Sequence, residues 1–140
     1  MRPLFLATTG LALAALAACD SQAERDADRL EDQVERDARA SAAASGDAEA
    51  ALGLTERQLL DADLLATDGT ELGDVEQVRR DASGAVTGLL IEIEDSNPDR
   101  FVLIPLDGLT TRPDGDDIDL VTAMTAAELA ALPDADLTAR

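Results

Sequence analysis

Cys19 is the residue of this chain that is best placed to take part in covalent chemistry. It is the only cysteine among 140 residues, so it cannot form a disulfide within the chain. It follows the branched apolar residue Leu16 and the small residues Ala17 and Ala18. A free thiol in an oxidising compartment is prone to oxidation, and alkylation of the thiol to a thioether would remove that reactivity. The position of Cys19 and its being alone therefore agree with covalent modification.

The residues before Cys19 have the order of a secretory leader. Arg2 supplies a positive charge, and residues 4–16 form an apolar run that is interrupted only by Thr8, Thr9 and Gly10. Small residues follow, as they do at a signal cleavage site. The run is shorter than the ~20 residues that a membrane-spanning helix needs. We therefore expect a leader that is removed, rather than a permanent transmembrane anchor.

The segment Leu16-Ala17-Ala18-Cys19 resembles the lipobox of bacterial lipoproteins. The resemblance implies cleavage between Ala18 and Cys19 and attachment of a diacylglyceryl group, usually followed by a third chain such as palmitate, to Cys19. Several chains anchor a protein stably, whereas a single chain does so only marginally. We expect the mature chain to be held in the cell envelope by this lipid and to face the periplasm. An ordinary secreted protein with an incidental cysteine is the alternative.

Asp20 directly follows the cysteine and bears on which membrane carries the protein. An aspartate at this position resembles an inner-membrane retention signal of some bacteria, which slightly favours the inner over the outer membrane. The alternative is that Asp20 merely begins a polar linker.

The charge of the chain excludes several classes of partner. Residues 1–18 contain one arginine and no acid, so their removal would leave 10 arginines against 30 acidic residues, a net charge of −20. Such a chain repels phosphate backbones and anionic lipid headgroups. We therefore expect no binding of nucleic acid, and contact with the membrane through the covalent lipid alone.

The missing residue types argue against catalysis. The chain contains no histidine and no lysine, so it has neither an imidazole base nor an amine that could form a Schiff base. Paired carboxylates could still perform acid–base chemistry, but sugar-cleaving sites usually bind their substrate on aromatic rings, and the only aromatic residues are Phe5 and Phe101. We predict that the protein is not an enzyme, with no catalytic residues and no cofactor.

Residues 19–53 are predicted to form an acidic tether, helical or disordered. Residues 22–44 lack glycine and proline, which favours helix, and small or apolar residues recur every three or four positions on one stripe. That stripe is Ala23, Ala27, Leu30, Val34, Ala38 and Ser41. A coiled coil would use it for weak self-association, but only two of its residues are large. The favoured interpretation is a solvated helical spacer that lifts the folded domain from the membrane.

Residues 54–137 are predicted to form the folded domain, which is mainly β. Capping boxes begin short helices at Thr55 and Thr125. Strands are predicted over 63–67, 71–80, 86–94, 101–104, 109–112 and 117–121. Strand 71–80 should contain a bulge or be strongly coiled, because Val75 and Val78 are three residues apart. In strand 86–94, Leu89, Ile91 and Ile93 should face the side opposite to Leu90, Glu92 and Glu94. Strand 101–104 is apolar on both faces and is expected at the centre of the fold.

The order and spacing of these pieces resemble a PRC-barrel domain over about residues 59–137. The characteristic segments are Asp68-Gly69, Leu72-Gly73-Asp74-Val75, Gly84-Ala85-Val86, residues 102–106 and Thr125-Ala126-Ala127-Glu128-Leu129-Ala130-Ala131-Leu132-Pro133. The resemblance implies a small antiparallel β-barrel with a short C-terminal helix. Asp61 departs from the family, which often has glycine before the first strand.

The densest acidic segment of the domain contains Asp114, Asp116, Asp117 and Asp119. It lacks the alternating ligands and the distal glutamate of a calcium-binding EF-hand loop, and Asp114-Gly115-Asp116 is first of all a turn signal. We predict no metal site, and whether these residues bind a cation stays open.

Two function classes remain. In the first, the domain is an interaction module that binds another envelope protein, as the PRC-barrel resemblance implies. In the second, the protein is a structural, acidic lipoprotein that self-associates through residues 22–44 and binds cations or solvates the periplasm. The sequence favours the first class.

Overall fold

The computed structural model describes residues 17–139, and the surroundings of side chains from Gln22 onward. Residues 1–16, most of the predicted leader, lie outside the described part of the chain. The elements are α1 (Ala17–Ser45), β1 (Glu49–Ala51), β2 (Leu54–Thr55), α2 (Glu56–Leu60), β3 (Asp63–Ala66), β4 (Glu71–Arg80), β5 (Val86–Ile93), β6 (Phe101–Pro105), β7 (Thr110–Asp114), β8 (Asp117–Thr122) and α3 (Ala126–Ala130). The prediction of a mainly β fold with a short C-terminal helix is confirmed.

The strands form an open sheet, not the closed antiparallel barrel that we expected. The six main strands are ordered β6-β5-β4-β3-β8-β7, and β3 pairs with β8 in parallel while the other neighbours are antiparallel. The outer edge of β6 is occupied by the chain itself, because the backbone N–H of Ala135 donates to the carbonyl of Phe101 at 2.7 Å. At the other edge, Pro113 deprives β7 of one backbone donor. Neither edge strand thus offers the regular row of free backbone donors and acceptors that would be needed to pair the two edges and close a barrel.

The main core lies on one face of the sheet, which we call the inner face. Leu64, Leu89, Val102, Leu120 and Leu129 are among its fully buried members, and burial of such side chains is the main stabilising contribution in a domain of this size. The two helices that follow capping boxes, α2 and α3, place Leu59 and Leu129 in this core.

Strands β4 and β5 follow the predicted pattern closely. Leu89 and Ile91 are buried in the main core and Ile93 packs against it, whereas Leu90 belongs to a second cluster on the outer face. The pairing of β4 with β5 shifts register between Val75 and Gln77, which confirms the bulge.

Strand β6 was predicted to be central, and this is wrong. It is an edge strand of the six-stranded sheet, and the side chain of Leu103 is half exposed. The strand is nevertheless apolar on both faces because Phe101 contributes to the outer cluster and Ile104 to the main core. Its edge is covered by the C-terminal segment of the chain rather than by another strand of the sheet.

The tether is a helix, but its second half is not a solvated spacer. Val34, Ala38 and Ala42 of α1 are buried, and Val34 packs with Leu90 and Phe101 in the outer cluster. Residues 22–30 are exposed. The small side chains of the alanines let the helix approach the sheet closely, so the helix can dock without a stripe of large residues. Residues 46–53, expected as a linker, contain β1 and lead directly into β2.

Candidate functional site

The predicted site residues at the N-terminus lie at the limit of the described chain. Ala18, Cys19 and Asp20 belong to α1, and their side chains are outside the part that the structure describes. Lipid attachment, cleavage and sorting at these residues therefore stay predictions. Among the described residues no helix is both long enough and apolar enough to cross a membrane.

The outer face of the sheet carries a line of acids that crosses four strands. Asp63 of β3 lies opposite Asp74 of β4, and Asp74 lies opposite Glu92 of β5. Leu64 pairs with Leu120 in the parallel ladder, so Asp119 of β8 extends the same line beyond Asp63. We call these four residues the carboxylate row. Like charges directly opposite each other on neighbouring strands are destabilising, so the row costs the free protein stability.

The pKa of Asp63 reflects this arrangement. Partial burial raises the pKa of the carboxyl, and the negative charges of Asp74 and Asp119 raise it further. The pKa of Glu71, at the exposed start of β4, is raised by the charge of Asp63, by desolvation and by the charge of Glu94. The row therefore carries negative charge that the chain itself only partly compensates.

One end of the row has a cation. Nη2 of Arg112 donates to Oδ2 of the buried Asp119 at 3.3 Å. The positions of Arg112 on β7 and Asp119 on β8 are opposite each other in the hairpin, and Gly115 with a φ of 62° closes the two-residue turn that fixes their register. This ion pair removes Asp119 from the uncompensated part of the row.

The other end of the row lies beneath α1. The pKa of Glu92 is raised to about 7, first by desolvation and then by the charges of Glu76, Asp99 and Glu31. The pKa of Glu76, which sits at the bulge of β4, is also raised by desolvation and by Glu35 of α1. A carboxyl that titrates near neutral pH can exchange protons under physiological conditions.

A fully buried acid lies at the C-terminal end of α1. Oε2 of Glu56 accepts hydrogen bonds from the hydroxyl of Ser45 and from Nη2 of Arg80, both at 2.9 Å. Oε1 has no hydrogen-bond partner, although the hydroxyl of Ser41 contributes to lowering the pKa. Burial alone would raise the pKa of Glu56, but Ser41, Arg80 and Ser45 together lower it. Glu56 thus joins α1, α2 and β4.

Carboxylate oxygens converge at two places among the described residues. One group is Glu31, Glu92 and Asp99, and the other is Asp63, Glu71 and Asp74; within each, the oxygens lie within 4.8 Å of one another. Exposed acids commonly approach this closely without an ion, and we assign no metal to either group. Asp114, Asp116, Asp117 and Asp119 belong to neither.

The groove between α1, α2 and β4 has a volume of about 370 Å³. It is lined by alanines of α1, by Arg39 and Arg57, and by Glu35 and Glu76. Glu92 does not line it. Of the two carboxyls beneath α1 whose pKa values are raised, Glu76 therefore lines this groove and Glu92 does not.

Sequence reasoning missed the carboxylate row and the buried Glu56. The alternation in β5 placed Glu92 on the outer face, but only the register of β3, β4 and β5 shows that Asp63, Asp74 and Glu92 are aligned. Glu56 follows a capping threonine, where an acid is expected at an exposed helix start, so nothing local signalled its burial.

A scan against protein-family models gives no match for this chain, and a search of curated proteins gives no match either. The resemblances to lipoproteins and to PRC-barrel domains stay predictions.

Proposed function

We propose that this chain is a lipid-anchored lipoprotein of the bacterial cell envelope whose β domain is a non-catalytic module that binds another envelope protein. The anchor is the lipid on Cys19, and the domain faces the periplasm. The domain is a PRC-barrel-like module whose sheet stays open, with its β6 edge covered by residues 134 and 135. The bound partner presents basic side chains to the outer face of the sheet.

The carboxylate row carries the docking part of this proposal. Asp63 and Asp74 face the same side of adjacent strands, and the exposed Glu71 lies beside them. Their mutual repulsion is a cost to the free domain that a basic partner would remove. Complementary charge of this kind steers association and selects partners. The part of the row on β3 and β4 also lies away from the acids of α1 that cover Glu92.

The packing of α1 favours this function over the self-associating structural lipoprotein. Val34, Ala38 and Ala42 are used within the chain, so the second half of the stripe is not free to form a coiled coil. In the exposed first half, Ala23, Ala27 and Leu30 contain a single large residue, which is too little for a stable seam.

Site-specific photocrosslinking in cells tests the docking surface. A photoreactive residue at Glu71, beside the row, is expected to give one discrete adduct, whereas the same residue at the exposed Ala127 of α3 gives none. The double substitution Asp63→Asn and Asp74→Asn should weaken the adduct about tenfold, equivalent to roughly 1.4 kcal/mol.

The matched control removes the same number of charges elsewhere. Asp107→Asn combined with Asp116→Asn alters two exposed acids outside the row and should leave the adduct unchanged. An equal loss of adduct in both double variants would show that the effect depends on net charge and not on the carboxylate row. The absence of any adduct at position 71 would contradict the proposed surface.

A further inference from the structure

The contact that holds α1 on the sheet is small. Between residues 31 and 42, the buried side chains of the helix are Val34, Ala38 and Ala42, of which Val34 packs with Leu90 and Phe101 of the sheet. Two of the three are alanines, so the apolar area that they remove from water is modest. A small change in electrostatic energy can therefore decide whether this segment stays docked.

Acids face each other across this same contact. Carboxylate oxygens of Glu31 on α1, Glu92 on β5 and Asp99 in the loop before β6 lie within 4.8 Å of one another. In addition, desolvation raises the pKa of Glu76 on β4, and the negative charge of Glu35 on α1 raises it further. The helix thus docks with its own acids against acids of the sheet, which is an unfavourable arrangement whenever all of them are ionised.

The charged groups around Glu92 come from every element at this contact. The charges of Asp74 and Glu76 from β4, Asp99 from the β5–β6 loop and Glu31 from α1 raise the pKa of Glu92. Glu35 and Arg39 of α1 influence the pKa of its neighbour Glu76. The charge of Arg39 lowers the pKa of Glu76, but Arg39 also donates a hydrogen bond to Glu35 at 2.7 Å. Its positive charge is therefore divided between two acids. The C-terminal segment on the same cluster carries Asp134, bound by Arg100, and Asp136, which lies near Arg79.

The C-terminal end of α1 is held independently of these acids. Ser45 donates to the buried Glu56, which Arg80 also contacts. Loosening of residues 31–42 would therefore leave the helix attached at Ser45, and the segment would swing about that end.

We propose that docking of residues 31–42 on the outer face of the sheet is controlled by pH, because protonation of the carboxyls at this contact holds the segment down and their ionisation loosens it. The undocked segment uncovers Leu90 and Phe101 and lengthens the reach of the domain from its N-terminus. This inference concerns a movement within the chain and does not depend on the anchor or on a partner.

The direction of the effect follows from where the protons are bound. The pKa of Glu92 is about 7 in the docked structure, whereas a solvated glutamate titrates near 4.5. Between these values the docked state binds more protons than the undocked state, so docking weakens as the pH rises. The weakening continues as the pH rises through about 7 and ends once Glu92 is fully ionised in both states.

Amide hydrogen exchange of the full chain in detergent, measured from pH 6 to pH 8 and corrected for intrinsic exchange, tests the proposal. We expect the protection of amides in residues 34–42 to fall about tenfold over this range relative to amides of β5. Glu92→Gln is permanently neutral and should reduce the fall to less than about twofold. Glu31→Gln, which acts from the helix side, should reduce it as well.

Glu94→Gln is the matched control because Glu94 is exposed just beyond the end of β5. It should keep the wild-type fall in protection. The proposal would be overturned if protection of residues 34–42 did not change with pH in the wild type. It would also be overturned if protection fell as much in the Glu92→Gln and Glu31→Gln variants as in the wild type.

Discussion

Nη2 of Arg80, at the end of β4, lies 2.9 Å from Oε2 of Glu56, the first residue of α2. The side chain of Glu56 is almost completely buried, and that of Arg80 is about one-third exposed, at 31%. The hydroxyl of Ser45 donates to the same oxygen. Two side chains and one hydroxyl thus join the end of the long helix to the sheet domain, in a chain that has few arginines to neutralise its acids.

Removal of Arg80 should destabilise the whole domain. Arg80→Met leaves the buried carboxylate of Glu56 without its cation, and an uncompensated buried charge is costly. We expect the free energy of unfolding at pH 7 to fall by about 2 kcal/mol, as measured by urea unfolding. Arg57→Met, which alters an exposed arginine of α2, should change it by less than about 0.5 kcal/mol. Equal effects of the two substitutions would contradict a structural role for the pair.

The packing of Val34 distinguishes a helix that is docked on the sheet from a helix that is a solvated spacer. Val34 is 4% exposed, and Val34→Ala should lower the free energy of unfolding by about 1–2 kcal/mol because it removes apolar contacts with Leu90 and Phe101. Leu30→Ala, a larger truncation at an exposed position, should cost less than about 0.5 kcal/mol. The opposite order would show that α1 does not pack as described.

The carboxylate row should make stability depend on pH. The pKa of Asp63 is raised above the ordinary value of 3.8, so the folded chain retains this proton at pH values where the unfolded chain has lost it. Stability contributed by this group therefore falls as the pH rises above about 3.8.

Asp63→Asn removes that penalty. We expect it to raise the free energy of unfolding by roughly 0.5–1 kcal/mol at pH 7, with a smaller gain near pH 4, in urea unfolding at each pH. Asp107→Asn, at an exposed loop position, should show no such difference. If the effect of Asp63→Asn on the free energy of unfolding did not depend on pH, repulsion within the row would not be its cause.

Gly73 permits the close approach of β4 and β5. A Cβ at this position would collide with the backbone carbonyl oxygen of Glu92, and also with Cγ2 of Ile91. Gly73→Ala should therefore cost about 3 kcal/mol in urea unfolding, because backbone atoms cannot move aside as a flexible side chain can. Gly84→Ala places a Cβ in open space at a φ of 87° and should cost only about 1 kcal/mol. Similar costs would contradict the close strand approach.

The strands whose side chains alternate were predictable. Leu89, Leu90 and Ile91 were assigned to the correct faces because one buried face and one largely polar face leave a period of two. The bulge near Glu76 was predictable for the same reason, since Val75 and Val78 can both reach the core only if the period is broken.

The long-range arrangement was not predictable. Apolar residues on both faces of β6 indicate cover on two sides, but they do not distinguish a neighbouring strand from a C-terminal segment such as Ala135. Val34 with two alanines is as typical of a solvated helix as of a docked one. The alignment of Asp63, Asp74 and Glu92 depends on pairing register, which no local pattern specifies.

The anchor is the central claim of the proposed function, and mass spectrometry of the chain isolated from membranes tests it most directly. We expect the chain to begin at Cys19 with a diacylglyceryl thioether, and a Cys19→Ser variant to be unprocessed or released from the membrane. An intact chain that begins at Met1 and carries no lipid would contradict the account.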